Sequence, residues 1–280
     1  MRSRLSGTAV RVGVYTLFVL LGLMVFSWVL SFAGGYLISS ALGVFMAALL
    51  ANAFSMWVFE RTHLANIGLT WTQGSVRNLL LGLAGGIGAA ALILVVPLAA
   101  GFAEFQPVPG SDPHWRTLLF VSGALLFGAA GEEMMFRGYG FQVLLGVLGP
   151  YATILPVSVL FAFAHTENLS VSTLGLVNTG LWGVLLGLAF LRSGDLWLPI
   201  GLHFGWNWTL PLFGVKLSGF TMDLTGHAMR WKIGPLWSGG DYGPEGGLLT
   251  CAVIVLLLLF LSKAPIHRHV PFLVRPRPEA

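Results

Sequence analysis

A chain of 280 residues that is 56% hydrophobic and 9% charged is not a soluble globular domain, since such domains carry about 25% charged residues. The formal net charge of +4 is gathered mostly at the chain ends, as on the flanks of a membrane protein, and indicates no nucleic acid partner. The single cysteine, Cys251, excludes an internal disulfide and any thiol cluster.

The pattern is that of an all-α polytopic membrane bundle with about eight transmembrane helices. Arg2, Arg4 and Arg11 precede an apolar run from Val12 to Phe32, and about 20 apolar residues suffice to cross a bilayer. Ser31-Phe32-Ala33 faintly resembles a signal-peptidase site. The run exceeds a signal h-region, however, so a retained helix is expected. Gly34-Gly35 makes a turn, and a second span from Tyr36 to Phe59 ends at Glu60-Arg61, an ordinary helix end. A polar connector with His63, Asn66 and Arg77 leads to a third span, Leu79 to Gly101. Gly82 and Gly86 form a small-xxx-small pair there, expected to be a packing contact. Phe102 to Arg116 reads as a Pro-rich loop with Glu104 and Asp112.

The fourth helix is expected to run unbroken from Thr117 to about Val147, where Leu148-Gly149-Pro150 stops it. The fifth runs from Tyr151 past His165, with Glu167 and Asn168 as a solvated loop start. The sixth covers Leu174 to Leu191, and the seventh begins at Leu196 and carries His203 and Asn207. Lys216 to Gly247 reads as an extramembrane or interfacial loop, and Trp197, Trp206, Trp208, Trp231 and Trp237 as interfacial anchors. The eighth span, Leu248 to Leu261, precedes a basic tail with Lys263, Arg268, Arg275 and Arg277, whose prolines suggest disorder. The chain thus divides into an N-terminal membrane region (1–116), a helical core (117–213) and a loop, last span and tail (214–280).

An even number of spans puts both basic ends on one side, and the positive-inside rule makes that side the cytoplasm of a cell (inner) membrane. Arg61, Arg77 and Arg192 then also fall inside, whereas Lys216, Arg230 and Lys232 do not.

The chemistry concentrates in Gly131-Glu132-Glu133-Met134-Met135-Phe136-Arg137, which carries two of the chain's 11 acids inside an apolar run. Ionised groups at membrane depth are costly and are seldom kept without a function. Glu133 and Arg137 stand four apart and share a helix face, while Glu132 lies about 100° away. Arg137 is therefore expected to hold Glu133 and leave Glu132 unpaired. An unpaired carboxylate in a low-dielectric site suits a general base; a structural ion pair with a spare carboxyl at a water interface is the plainer alternative. Three further polar side chains lie on apolar helices: His165, and His203 with Asn207 on one face. Glu132 and His165 each lie roughly 16 residues from the Leu148–Pro150 turn, about 24 Å at 1.5 Å per residue, so an antiparallel hairpin brings them level. Taken singly, each could be a satisfied interhelical hydrogen bond. Taken together, one free carboxylate, two imidazoles and an amide meet the needs of water activation.

Glu132-Glu133-x-x-x-Arg137, Phe161-x-x-x-His165 and His203-x-x-x-Asn207 resemble the three ordered motifs of the CPBP intramembrane protease family, which includes the type II CAAX prenyl endopeptidases and the bacterial Abi proteins. The likeness covers roughly residues 117 to 213. It implies an intramembrane endopeptidase acting on a membrane-associated protein or peptide. Glu132 would activate water with His165, His203 and Asn207 would stabilise the oxyanion, and Glu133, Arg137 and Phe161 would support the site. The family has also been described as metalloproteases, and Glu132, His165 and His203 are the residues that zinc would take. No His-Glu-x-x-His is present and Asn207 is a poor zinc ligand, so no cofactor is the favoured expectation. Two readings of other kinds remain open: a proton-coupled transporter with Glu132 and the histidines as relay, and a non-catalytic immunity or scaffold protein. The lack of an internal repeat weighs against the first.

Overall fold

The computed structural model describes residues 2–32, 35–111, 113 and 115–274. Ala33, Gly34, Asp112, Arg275 and Arg277, which figure in the expectations above, lie outside the described residues.

The fold is an all-α membrane bundle. Helix α1 (Arg2–Ser31) packs along α2 (Tyr36–Ser55), which continues through a π-helical turn, Met56–Glu60. Helix α3 (Gln73–Ala99) opens on Thr72, whose hydroxyl caps Ser75 N at 3.1 Å. Helices α4 (Trp115–Arg137), α5 (Tyr139–Leu148), α6 (Pro150–Phe163), α7 (Thr173–Ser193) and α8 (Trp197–Leu212) form the central group. A single turn, α9 (Pro235–Ser238), precedes α10 (Leu248–Lys263). Five segments are long and apolar enough to cross a membrane, namely 6–31, 37–60, 73–99, 115–148 and 173–193, and α6 and α10 are shorter apolar helices. Leu20, Met24, Val96, Leu119, Val159 and Leu259 turn their side chains outward, as lipid-facing residues do.

The expected unbroken fourth helix is corrected by a break at Gly138 between α4 and α5. Its cause is Asn52 of α2. The Asn52 amide donates to the Met134 carbonyl at 2.9 Å and accepts from Tyr139 N at 2.7 Å, which diverts two backbone groups from the helix ladder. A Cβ at position 138 would lie 2.3 Å from Asn52 Oδ1, so only glycine fits. Nothing in the apolar pattern of 115–148 signals this partner from another helix.

The Gly82/Gly86 pair is a packing contact, as expected, and it is reciprocal. A Cβ on Gly82 or Gly86 would come within 2.4 and 2.2 Å of the carbonyls of Leu198 and Leu202 on α8. Gly201 and Gly205 of α8 meet the carbonyls of Leu79 and Leu83 in the same way, at 2.5 and 2.9 Å. The two helices touch backbone to backbone, which small residues permit in a lipid environment. Helix α8 has 16 residues, about 24 Å at 1.5 Å per residue and short of a hydrocarbon core of about 30 Å. Its position is therefore set by α3 rather than by its own length.

Two strands not expected from the sequence join the loops at one end of the bundle. β1 (Ala103–Pro107) pairs antiparallel with β2 (His227–Trp231), Phe105 opposite Met229, and Lys232 meets Glu104 at 2.7 Å. At the other end the tail, expected to be disordered, is bonded into the fold as far as Val274. His269 N donates to Ser193 O at 2.7 Å, and His267 N to Asn78 Oδ1 at 2.9 Å. The Asn78 amide in turn donates to Asp195 Oδ2 at 2.7 Å.

Candidate active site

Glu132 and Glu133 lie one helical turn above the Gly138 break, where α4 crosses α2 and α8. Close approach of α4 to α2 is allowed by Gly131, whose Cβ would sit 2.7 Å from the backbone of Phe45. The two carboxylates then diverge as the helix period dictates. Glu133 is fully buried and Glu132 opens to a cavity.

Arg137 Nη1 donates to Glu133 Oε1 at 3.1 Å, the pair expected from the i,i+4 spacing. Arg137 Nη2 donates to the Gly183 carbonyl of α7 at 3.0 Å, and its guanidinium lies 4.8 Å from the Phe161 ring. Burying a lone cation here would be prohibitive, and each of these contacts offsets part of that cost. Glu133 Oε1 also accepts from His203 Nδ1 at 2.9 Å. A carboxylate oxygen accepts, so Nδ1 carries the proton and Nε2 faces the cavity.

His165 is turned in a similar way. Its Nδ1 donates to the Phe161 carbonyl at 2.8 Å, again leaving Nε2 toward the cavity. His165 lies two residues past the end of α6, in a turn rather than within the helix as expected. Phe161 is the hub: its ring packs edge-on to Phe136 at 5.1 Å and against His165 at 4.7 Å. The two Nε2 atoms each stand 3.8 Å from Glu132 Oε2, an oxygen without a hydrogen-bond partner among the described residues. The cavity, about 340 Å³, is lined by Glu132, His165, His203 and Asn207 together. Thus all four candidate residues, from two helices and a turn, line one space, with Glu133, Arg137 and Phe161 directly behind it.

Three walls complete this cavity. Leu37, Ala41 and Val44 of α2, with Ala124 and Gly128 of α4, form an apolar side. Leu217, Ser218, Phe220, Thr221 and Met222 form another, and Glu245 a third. The last two come from the loop read as extramembrane or interfacial, so that loop folds back over the site. Leu217 and Phe220 exchange backbone hydrogen bonds across Ser218 and Gly219, whose φ angles are +50° and +84°. Such a two-residue turn favours glycine or asparagine in both places, and a serine needs support. The Glu245 carboxylate supplies it. It accepts from Ser218 N and, at 3.0 Å, from Ser218 Oγ, and its other oxygen accepts from Trp206 Nε1 at 3.3 Å. Burial pushes the Glu245 carboxyl above the usual carboxylate range, while the Ser218 and Trp206 donors hold it partly back. Trp206 is buried beside Trp182 and is not the interfacial anchor expected of it. Asn168, expected in a solvated loop, lines the cavity. Glu245 was not singled out as a site residue. Its one sequence signal is an acid set among glycines and a proline immediately before an apolar span.

Residues 114–209 match the model of the family described as type II CAAX prenyl endopeptidase, Rce1-like. The motifs that carried the resemblance all fall inside this segment, so the chain is similar to CAAX-type intramembrane endopeptidases over its site-bearing helices. No curated protein and no solved structure matches the chain.

Proposed function

We propose that this protein is an intramembrane endopeptidase that hydrolyses a peptide bond of a membrane-associated protein or peptide, in which Glu132 is the general base. One observation carries the reading: the unpartnered Glu132 oxygen faces the Nε2 atoms of His165 and His203 at 3.8 Å each, in a cavity that Asn207 also lines. Glu132 Oε2 and His165 Nε2 are two acceptors about one point and suit a water that donates to both. Glu132 takes a proton from that water as its oxygen attacks the scissile carbonyl, and His165 orients it. The His203 imidazolium, which keeps its Nδ1 proton on Glu133 and carries a second on Nε2, and the Asn207 amide donate to the oxyanion that develops. Glu132 then returns the proton to the leaving amine. Glu133 fixes the His203 ring, and Arg137 keeps the buried Glu133 in place.

The metal-free route is our preferred one. Ligands 2.0–2.2 Å from a tetrahedral zinc lie about 3.4 Å from each other, closer than the 3.8 Å separations here. Among the described residues no three His, Cys, Asp or Glu side chains are grouped as a metal site. No step is therefore routed through a metal.

The basic flanks support cytoplasmic termini in a cell (inner) membrane. Arg11 meets Glu60 at 3.3 Å and His267 meets Asn78, which gathers both ends of the described chain with the intervening basic loops. Cysteines placed at Ser3 and Glu279 in a Cys251→Ser background should both be shielded from an impermeant external reagent.

The test of function is a comparison of membrane proteomes from cells carrying wild type and Glu132→Gln, followed by cleavage assays on the substrate found. Glu132→Gln keeps shape but cannot take a proton, and should lose about 10²–10⁴-fold in rate. Asn207→Ala should lose about 10²–10³-fold. Proton-driven uptake into vesicles that depends on Glu132, with no polypeptide accumulating uncut, would overturn the protease reading.

A further inference from the structure

Helix α2 does not end as an ordinary helix does. Its last turn, Met56–Glu60, is π-helical, and the amides of Arg61 and Thr62 both close onto the Met56 carbonyl. Single π-turns are frequent at functional sites. Arg61 then takes a left-handed conformation, with φ +51°, at a helix-ending position that glycine fills at least cost. The turn is closed by backbone groups alone, so its hydrogen bonds do not require an arginine. A non-glycine residue held in the left-handed region points to a use for its side chain.

That use is not found inside the protein. Arg61 is exposed and has no ion-pair partner among the described residues. The neighbouring acid, Glu60, is turned inward, where it meets Arg11 at 3.3 Å and accepts from the Tyr139 hydroxyl at 3.0 Å. Arg61 instead lines an open recess of about 540 Å³ with Trp57, Val58, Thr62 and His63. Thr62 Oγ1 accepts from Asn66 Nδ2 at 2.6 Å, which leaves the hydroxyl its own proton to give. His63 is exposed, and its ring has no hydrogen-bond partner among the described residues. Three successive residues thus offer a guanidinium fork, a hydroxyl and an imidazole, and no carboxylate is among the described residues that line the recess. Such a set of donors suits the oxygens of a phosphate.

The position of the recess narrows the source of that phosphate. The apolar span 37–60 stops at Glu60, so the recess lies where the hydrocarbon layer gives way to headgroups. Trp57 and Val58 are exposed on its apolar side. After the same connector, Trp71 packs edge-on to Trp197 at 4.6 Å, and paired tryptophans of this kind belong at headgroup level. A free phosphate would leave Trp57 and Val58 uncovered, whereas a phospholipid covers them with its glycerol and acyl chains.

We propose that Trp57, Arg61, Thr62 and His63 form a binding site for the phosphate headgroup of an anionic phospholipid. The site shares no residue with the catalytic cavity and does not depend on the protease reading.

The test uses the full chain in neutral detergent micelles, titrated separately with phosphatidylglycerol, phosphatidylcholine and water-soluble glycerol phosphate. Melting temperature and native mass spectrometry are the readouts. Phosphatidylglycerol should raise the melting temperature of wild type and remain bound at lower concentration than phosphatidylcholine. Arg61→Gly relieves the left-handed backbone, so without added lipid it should melt at or above the wild-type temperature. Its affinity for phosphatidylglycerol should nevertheless fall about fivefold, the worth of one cation near an anionic surface. Arg61→Gln leaves the backbone as it is and should lose the same affinity. Trp57→Ala should weaken phosphatidylglycerol binding without changing the response to glycerol phosphate. Arg77→Ala removes another exposed basic residue, one outside the recess, and should bind as wild type does. Equal losses in Arg61→Gln and Arg77→Ala would mean general surface charge and overturn the site. Equal wild-type affinity for the two lipids, or an Arg61→Gln protein that binds like wild type, would overturn it as well. Glycerol phosphate that displaces phosphatidylglycerol at equal concentration would make this a site for free phosphate and overturn the lipid assignment.

Discussion

His203 on α8 and Arg137 at the end of α4, with three helices between them in the chain, bond to the same oxygen of Glu133, at 2.9 and 3.1 Å. The fully buried carboxylate is thus the joint between the motif on α4 and the motif on α8. Removing Arg137 leaves that carboxylate without its cation in an apolar setting, a change that typically costs about 3–5 kcal/mol. Arg137→Ala should therefore show a lowered melting temperature together with lost activity. A variant of wild-type stability would contradict the bracing role.

The crossing of α3 and α8 makes a contrast possible between two glycines two residues apart. A methyl on Gly86 would lie 2.2 Å from the Leu202 carbonyl, while one on Gly88 meets nothing within 4 Å. Gly86→Ala must push α8 away and carry His203 and Asn207 with it. Overpacking of this kind costs about 1–3 kcal/mol, and activity should fall further than stability alone explains. Gly88→Ala should be neutral or gain up to about 1 kcal/mol from helix propensity. Thermal melts and cleavage rates of the two variants provide the comparison.

Chelation tests the choice of mechanism. Purified protein dialysed against a strong chelator should keep its activity, because the proposed route asks only for a carboxylate, imidazoles and an amide. Loss of activity, restored by zinc and not by magnesium, would instead assign Glu132, His165 and His203 to a metal.

The buried Glu245 carboxyl has a signature in stability. Its carboxyl is raised chiefly by burial, so the folded protein binds that proton more tightly than the unfolded chain does. Stability therefore falls as pH rises from the ordinary glutamate value, about 4.3, through the raised folded value, and the loss persists above it. Glu245→Gln has no such group, and its melting temperature should lack this fall across the acid range. Identical pH profiles for the two proteins would show that burial does not penalise the charge.

Much of the site could be read from the chain because its parts obey helical spacing. Four residues separate Glu133 from Arg137 and His203 from Asn207, and the bend at Leu148–Pro150 set Glu132 level with His165. What escaped was long-range. The amide of Asn52, 82 residues from the carbonyl it captures, breaks α4 where apolar continuity suggested none. The indole of Trp206 looked like a membrane anchor because composition cannot tell a lipid-facing tryptophan from one bonded to a glutamate 39 residues later. The β1–β2 pairing joins segments more than 100 residues apart, each too short to announce itself by alternation.

The place of Glu245 in the chain also orders events in time. A ribosome-bound chain that stops short of Pro244 already contains Glu132, His165, His203 and Asn207, yet it has nothing to pin Ser218 or to close that side of the cavity. The wall is finished only by a segment translated after all four of them. The four polar side chains of α4, α8 and the turn after α6 are thus synthesised before the cavity that is to hold them can close.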